Sequence, residues 1–492
     1  MARLNDQRLV TVSIMLATVM QVLDTTIANV ALPHMQGSLS ASTDQITWVL
    51  TSYIVAAAIM TPTVGFMASR LGRRRLFLWS VAGFTVTSGL CGLSASLDQM
   101  VLFRILQGVF GAALVPLSQS VLLDAYPVEK HGQAMAIWGM GVMVGPILGP
   151  TLGGWLTEWY SWRWVFYINL PFGLLAFAGI WLSVSETETR KVRFDIMGFA
   201  YLGLAIGAFQ LMLDRGEQVQ WFESFEIQLE AVLALLGLYL FVVHSLTRKD
   251  PFIDPALFKD RNFVTGLVFI FVVGIILLAT MALLPPFLQQ CKDYPAVTTG
   301  LVLAPRGLGS MFSMMLVGRL MRTRLDPRVL VITGLLFITF SLHEMAGFTL
   351  EVSRNTLIWT GVLQGLGLGL VFVPASALTY ATLNPSLRTE GASLFSLSRN
   401  LGSSVGISIM TAMLSRNLWI NQQQLGEHLQ LAPWLSQGLP MKEMVGSVPA
   451  AVYQTLLSQA AEISYMNDFR LLMWINMAAI PLVFLLRHQR RA

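Results

Sequence analysis

The chain has 492 residues, of which 54% are hydrophobic and only 12% charged, about half the charged fraction of an ordinary soluble domain. Its mean hydropathy of +0.63 fits a chain whose solvent is mostly lipid. Its net charge of +5 sits in short loops between apolar stretches, where it signals membrane orientation rather than nucleic-acid binding. Two cysteines, Cys91 and Cys291, exclude a disulfide framework and a cysteine-rich metal site.

Fourteen apolar segments are predicted to cross a bilayer, near 9–32, 46–68, 76–95, 100–122, 134–157, 164–184, 196–213, 227–246, 263–284, 298–321, 329–349, 356–381, 392–414 and 470–486. A bilayer core of about 30 Å needs about 20 helical residues, and uniformly apolar segments of this length must satisfy their backbones internally, so only helices fit. The first segment is too long for a cleavable leader and no small-residue cleavage site follows, so it is expected to remain as the first span. An even count puts both termini on one side. Of the 32 Lys and Arg, 21 fall in segments on that side and six on the other, so both termini are expected in the cytoplasm. The stretch 415–469 is expected to be one long extracytoplasmic loop, rich in glutamine at "NQQQ".

Span 1 contains "MQVLDTTIANVALP". A carboxylate in hydrocarbon costs several kcal/mol, so Asp24 demands a reason. It lies about 5 Å outward of the span's midpoint and Arg104, in span 4, roughly 6 Å below that span's outer end. The depths then differ by about 6 Å, which an arginine side chain bridges. Desolvation disfavours a charged carboxylate and a neighbouring guanidinium favours it. A movement between the two environments would therefore load or release a proton. The competing reading is a static buried pair that fixes helix packing.

After span 2 comes "GFMASRLGRRRLF", with Gly65, Arg70, Gly72 and Arg73, followed by Arg74 and Arg75. This cluster is mainly an orientation signal. In span 5, "GVMVGPILGPTLGG" places Gly141, Gly145, Gly149 and Gly153 at four-residue intervals, with Gly154 beside the last. Such a face lets a neighbouring helix approach closely, while Pro146 and Pro150 weaken the backbone ladder and permit bending. Asn29, Gln107, Gln210 and Gln364 are polar groups within spans that are candidates to face a substrate. Arg399, in span 13, must be paired or hydrated, with Glu344 and Asp24 as candidate partners. Arg306 is expected to reach water from the end of span 10.

Span 4 holds "FRILQGVFGAALVP" and span 12 "WTGVLQGLGLGLVFVP". Both carry Leu-Gln-Gly, further glycines and a proline. The register matches Arg104 with Gly361 and Gln107 with Gln364. Each span is the fourth of a six-helix set if spans 7 and 8 are inserted between two halves, an arrangement typical of transporters built from repeats.

"LDTTIANVALP", "GFMASRLGRRRLF", "RILQGVFGAA" and "GVMVGPILGPTLGG" together resemble the fourteen-span drug:proton antiporters of the major facilitator superfamily. "WRWVFYINLPFG" and "LMLDRGEQVQWFES" resemble the EmrB-type multidrug efflux group. The resemblance implies an all-α membrane fold: a six-helix bundle over 1–190, two inserted helices over 191–260, and a second bundle over 261–492. It implies proton-coupled export of lipophilic compounds across a bacterial inner membrane, with coupling by Asp24 and Arg104. It assigns the span 5 glycines and prolines to sealing and rocking of the halves. It also implies a periplasmic adaptor (EmrA-type) and an outer-membrane channel (TolC-type) as partners. Export of a specific metabolite or siderophore, or symport, are the alternatives. One departure is Ser69, where the loop motif usually has aspartate, which puts a gating charge pair there in doubt. No cofactor or metal is expected, and no nucleophile–base constellation or Gly-Lys phosphate loop points to an enzyme.

Overall fold

With no water to bond their backbones, the apolar segments close their hydrogen bonds internally as helices. A computed structural model describes residues 7–189, 193–248, 251–323, 325–428 and 450–486. Leaving single turns unlabelled, the helices of the first part are α1 Gln7–Ser38, α2 Trp48–Met60, α3 Thr63–Leu71, α4 Arg73–Leu93, α5 Leu97–Gly111 and α6 Leu114–Ala125. Then follow α7 His131–Trp159, α8 Asn169–Ser183, α9 Ile196–Arg215 and α10 Phe225–Thr247. The remainder comprises α11 Arg261–Pro286, α12 Ala296–Leu320, α13 Pro327–Met345, α14 Arg354–Tyr380, α15 Arg388–His428 and α16 Ala450–Ala479.

Among the described residues, twelve helices are long and apolar enough to cross a membrane, or thirteen if α2 and α3, bent by 60° near Pro62, count as one. Proline at that break withholds an N–H from the ladder. α15 occupies the place of the remaining predicted span, and "SLSRNLGSSVGIS" makes it more polar than the others. Side-chain bonds between helix ends agree with the predicted alternation. Gln7 reaches the Ala125 carbonyl, Thr382 bonds Asp260, and Arg388 bonds Asp124. These ends, with Arg70, Arg73, Arg74 and Arg75, form one arginine-rich face. On the opposite face Lys292 Nζ donates to the Leu350 and Val352 carbonyls and Arg163 to that of Ser94.

In the first bundle α1 packs on α7 and α8, α4 on α5 and α8, and α2 on α5; in the second, α11 packs on α15 and α14, α12 on α14, and α13 on α14 and α16. The bundles meet along α7 and α12. Elsewhere α9 bridges them, packing on α2 and bonding α15 through Gln210 Nε2 to Ser404 Oγ (2.9 Å) and Ser408 Oγ to the Leu213 carbonyl (3.0 Å). α10 packs on α9 and leaves most of its surface to lipid.

The stretch expected as a long loop is largely helical. α15 runs for 41 residues, about 60 Å at 1.5 Å per residue, twice the bilayer core. It and the first half of α16 form two arms, tied by Asn421 Nδ2 to Ser464 Oγ (2.9 Å) and Asn417 Nδ2 to Asp468 Oδ1 (3.2 Å). Residues 429–449 lie outside the described residues.

Candidate functional site

The carboxylate of Asp24 is enclosed within the first bundle, 1% exposed, and Arg104 beside it is fully buried. Arg104 Nη1 donates to Asp24 Oδ2 at 2.7 Å. Two amides donate to the other oxygen, Gln107 Nε2 at 2.9 Å and Asn169 Nδ2 at 2.7 Å. α1, α5 and α8 thus each supply a part. Arg104 and Gln107 share a face because they are three residues apart on α5. The guanidinium is held independently of the carboxylate: Nε donates to the Val49 carbonyl (2.9 Å), Nη1 also to Gln107 Oε1 (2.8 Å), and its plane lies 4.2 Å from the Tyr53 ring centroid. Tyr53 is fixed in turn by Gln21 Nε2 (3.1 Å). Asn169 also donates to Ser88 Oγ (3.0 Å). Arg104 Nη2 has no partner, so the network is not closed on itself.

Asn169, a hydrogen-bond partner of Asp24, is a site residue that sequence reasoning missed. It stands within the quoted "WRWVFYINLPFG", and an amide amid so apolar a run carried the same signal as Asp24. The other polar candidates separate. Gln107 joins Asp24, Asn29 is exposed farther along α1, and Gln210 ties α9 to α15. Gln364 repeats the role of Gln107 in the second bundle, donating to Thr280 Oγ1 of α11 at 3.2 Å. A hydroxyl therefore stands where the first bundle has its carboxylate. Arg306, expected to reach water, is 5% exposed and donates to the Leu277 carbonyl (3.3 Å). α12 begins at Ala296, so Arg306 lies about 15 Å along it, near mid-depth. An added Cβ on Gly361 would lie 3.5 Å from the Arg306 Cβ. The repeat thus keeps an internal arginine but moves it from the fourth helix of the bundle to the second.

The glycine face of α7 packs on α1, the helix that carries Asp24. A Cβ on Gly145 would fall 2.8 Å from the backbone carbonyl of Val22, so the backbones themselves touch. Thr26 Oγ1 adds a bond to the Gly145 carbonyl at 3.1 Å. Gly141 and Gly149 face Met15 and Thr26, and Gly153 faces Ile27 and Val30, whereas a Cβ on Gly154 would meet nothing within 4 Å. α7 is helical without a break through 146 and 150; the side chains of Pro146 and Pro150 lie outside the described residues.

A model for the Major Facilitator Superfamily matches residues 14–407. The chain belongs to this superfamily. The fatty acid resistance protein FarB of Neisseria gonorrhoeae is 39% identical over 422 residues, covering 85% of this chain and 83% of FarB. The multidrug export protein EmrB of Escherichia coli (strain K12) is 38% identical over 427 residues, covering 86% and 82%. Among solved structures the proton:xylose symporter XylE superposes with a TM-score of 0.62 at 13% identity, over 96% of both chains. That likeness is one of fold alone.

In this facilitator an ion-pair cluster beside the loop after α3 bridges the bundles at the arginine-rich face without an aspartate at 69. Ser69 Oγ turns back to the Gly65 carbonyl (3.0 Å). The charge comes from Asp124 at the end of α6, which binds Arg73 of its own bundle and, through Oδ1 at 2.8 Å, Arg388 Nη1 of α15. Gly65 admits α15, since a Cβ there would lie 2.8 Å from Glu390 Cα. Gly72 supplies the positive φ of 86° that ends α3. Arg70 is exposed and outside the latch. A partly exposed pair is worth about 0.5–1 kcal/mol. Asp124→Asn is therefore expected to raise two- to fivefold the rate at which an impermeant maleimide labels Ser120→Cys, buried just inside this contact. An unchanged rate would remove Asp124 from the gate.

Proposed function

We propose that this chain is a proton-coupled antiporter that exports lipophilic compounds across a bacterial inner membrane, with the arginine-rich face and both termini in the cytoplasm. The observation that carries this reading is a buried carboxylate–guanidinium pair in a bundle latched to its neighbour at one face. In the closed-latch arrangement, Arg104 and two amides occupy both oxygens of Asp24. While the latch still closes the cytoplasmic face, the site opens to the far side, the pair separates and Asp24 takes a proton there at Oδ2. Arg104 keeps hydrogen bonds to the Val49 carbonyl and Gln107 Oε1 while its counter-charge is absent. When the latch opens, return of the guanidinium expels the proton to the cytoplasm, opposite to the cargo. The names of the relatives, multidrug export for EmrB and fatty acid resistance for FarB, agree with a lipophilic cargo. The 21 basic residues on one side agree with a cytoplasmic placement of that face. In proteoliposomes, efflux of a lipophilic dye is expected to require a proton gradient and to stop on adding an uncoupler; efflux indifferent to the gradient sinks the reading.

The two helical arms beyond the far face support a second element of the proposal, docking to a periplasmic adaptor that leads to an outer-membrane channel. Their hydrogen-bonded pairing gives a partner a rigid surface rather than a loop to order. Replacing Asn417 and Asn421 by leucine is expected to weaken adaptor co-purification severalfold. Undiminished recovery would count against the arms.

A further inference from the structure

The first bundle balances its internal cation and the second does not. Arg104 has Asp24 at 2.7 Å. Arg306 and Arg399 stand in the second bundle, and among the described residues neither forms an ion pair. Arg306 Nη2 has the Leu277 carbonyl at 3.3 Å, and Arg399 Nη2 has only its neighbour Asn400 Oδ1 at 3.4 Å. The candidate partners Asp24 and Glu344 do not serve, Asp24 being engaged within the first bundle. Both arginines lie near mid-depth, about 15 Å and 16 Å from the opposite ends of their helices at Ala296 and Arg388. They converge on one stretch of α11. The backbone of Arg399 lies against Gly274, where Ser403 Oγ bonds the Gly274 carbonyl (3.4 Å), and Leu277 is one turn farther on. The Arg399 guanidinium reaches across the seam to 5.8 Å from the Trp138 ring of α7.

Uncompensated cations inside a membrane protein are costly, and such groups mark substrate or ion paths. An incoming anion would relieve the cost. The surroundings say which anion. Trp138 is stacked on Phe372 (5.8 Å) and pinned by Nε1 to Ser118 Oγ (2.9 Å), while Tyr380 packs on Phe395 (5.5 Å). These apolar surfaces come from both bundles and are buried against one another while the latch is closed (Trp138 1% and Tyr380 2% exposed), so they open to a substrate beneath the Arg399 guanidinium as the bundles part. A hydrophilic anion gains nothing from them; a chain with an apolar body and one charged head uses both. Resting on the export reading, we infer that Arg306 and Arg399, with Trp138, form a recognition site for the anionic head of an amphipathic substrate between the two bundles.

Dodecanoate and its neutral analogue dodecanol test this by equilibrium dialysis against the full chain in lipid nanodiscs, with empty nanodiscs as blank. The wild type is expected to bind dodecanoate at least tenfold more tightly than dodecanol. Arg399→Gln and Arg306→Gln are each expected to lose that preference while dodecanol binding stays. Arg399→Lys, which keeps the charge over Trp138, is expected to keep most of it. If a glutamine variant loses both ligands through misfolding, the lysine variant decides: preference retained supports the site, and preference lost overturns it. A wild type with no preference, or a glutamine variant that keeps it, also overturns the inference. No gradient enters this measurement, so its failure leaves the export reading standing, and gradient-independent efflux would fell that reading without touching the site.

Discussion

Asp24→Asn is expected to abolish proton release driven by substrate, a loss of at least a hundredfold in reconstituted vesicles, while substrate still binds. The arrangement of donors explains why so small a change is so severe. Asp24 Oδ1 accepts from Gln107 and Asn169, and Oδ2 accepts from Arg104. An asparagine offers one acceptor and one N–H₂ group, so in either orientation a donor faces a donor. It also leaves the Arg104 charge uncompensated, and breaking a buried pair in this way costs about 3–5 kcal/mol. Substrate binding is therefore the control that separates lost coupling from lost fold. Binding retained with exchange abolished supports the coupling role. Exchange at the wild-type rate would reduce the pair to a packing device.

What could be read from the sequence was depth along a helix; what could not was the direction in which a side chain points. Depth brought Asp24 and Arg104 together, because two charges at the same level of one half have few other partners. It did not find Asn169, whose role depends on α8 turning that face toward α1, nor remove Asn29, which looks equally polar from the same span. Direction also misplaced Gln210, whose amide ties the inserted α9 to α15. Arg306 was misplaced for another reason. Its span begins at Thr298 as expected, but its chemistry was assigned to the nearest water instead of the neighbouring Gly361. The arms of α15 and α16 escaped because hydropathy detects only the lipid-immersed length of a helix. "NQQQ" is polar, yet glutamine is a good helix former, so polarity there marked the end of the membrane and not the end of the helix. The repeat was legible at Gln107 and Gln364, each of which bonds the first helix of its own bundle, α1 and α11.

Gly145→Val tests whether the α7 stripe serves motion or only packing. The added Cβ alone would meet the Val22 carbonyl at 2.8 Å, well inside van der Waals contact, and the two methyls of valine add to the intrusion. The nearest atom is the Val22 Cγ1 methyl, and behind it the Val22 backbone carbonyl cannot swing aside, so the helices themselves must part. Overpacking of this kind costs about 1–3 kcal/mol, and here the displaced helix is the one bearing Asp24, two residues beyond Val22. A shift of α1 would carry the carboxylate away from donors placed on α5 and α8, so the damage should appear in coupling before stability. Gly145→Val is expected to cut substrate-driven proton release more than tenfold, and Gly154→Ala, whose Cβ meets nothing within 4 Å, to change it less than twofold. Equal losses in the two variants would point to α7 as a whole rather than to its contact with α1. Full exchange in Gly145→Val would show that α1 and α7 need not touch backbone to backbone for the proton to move.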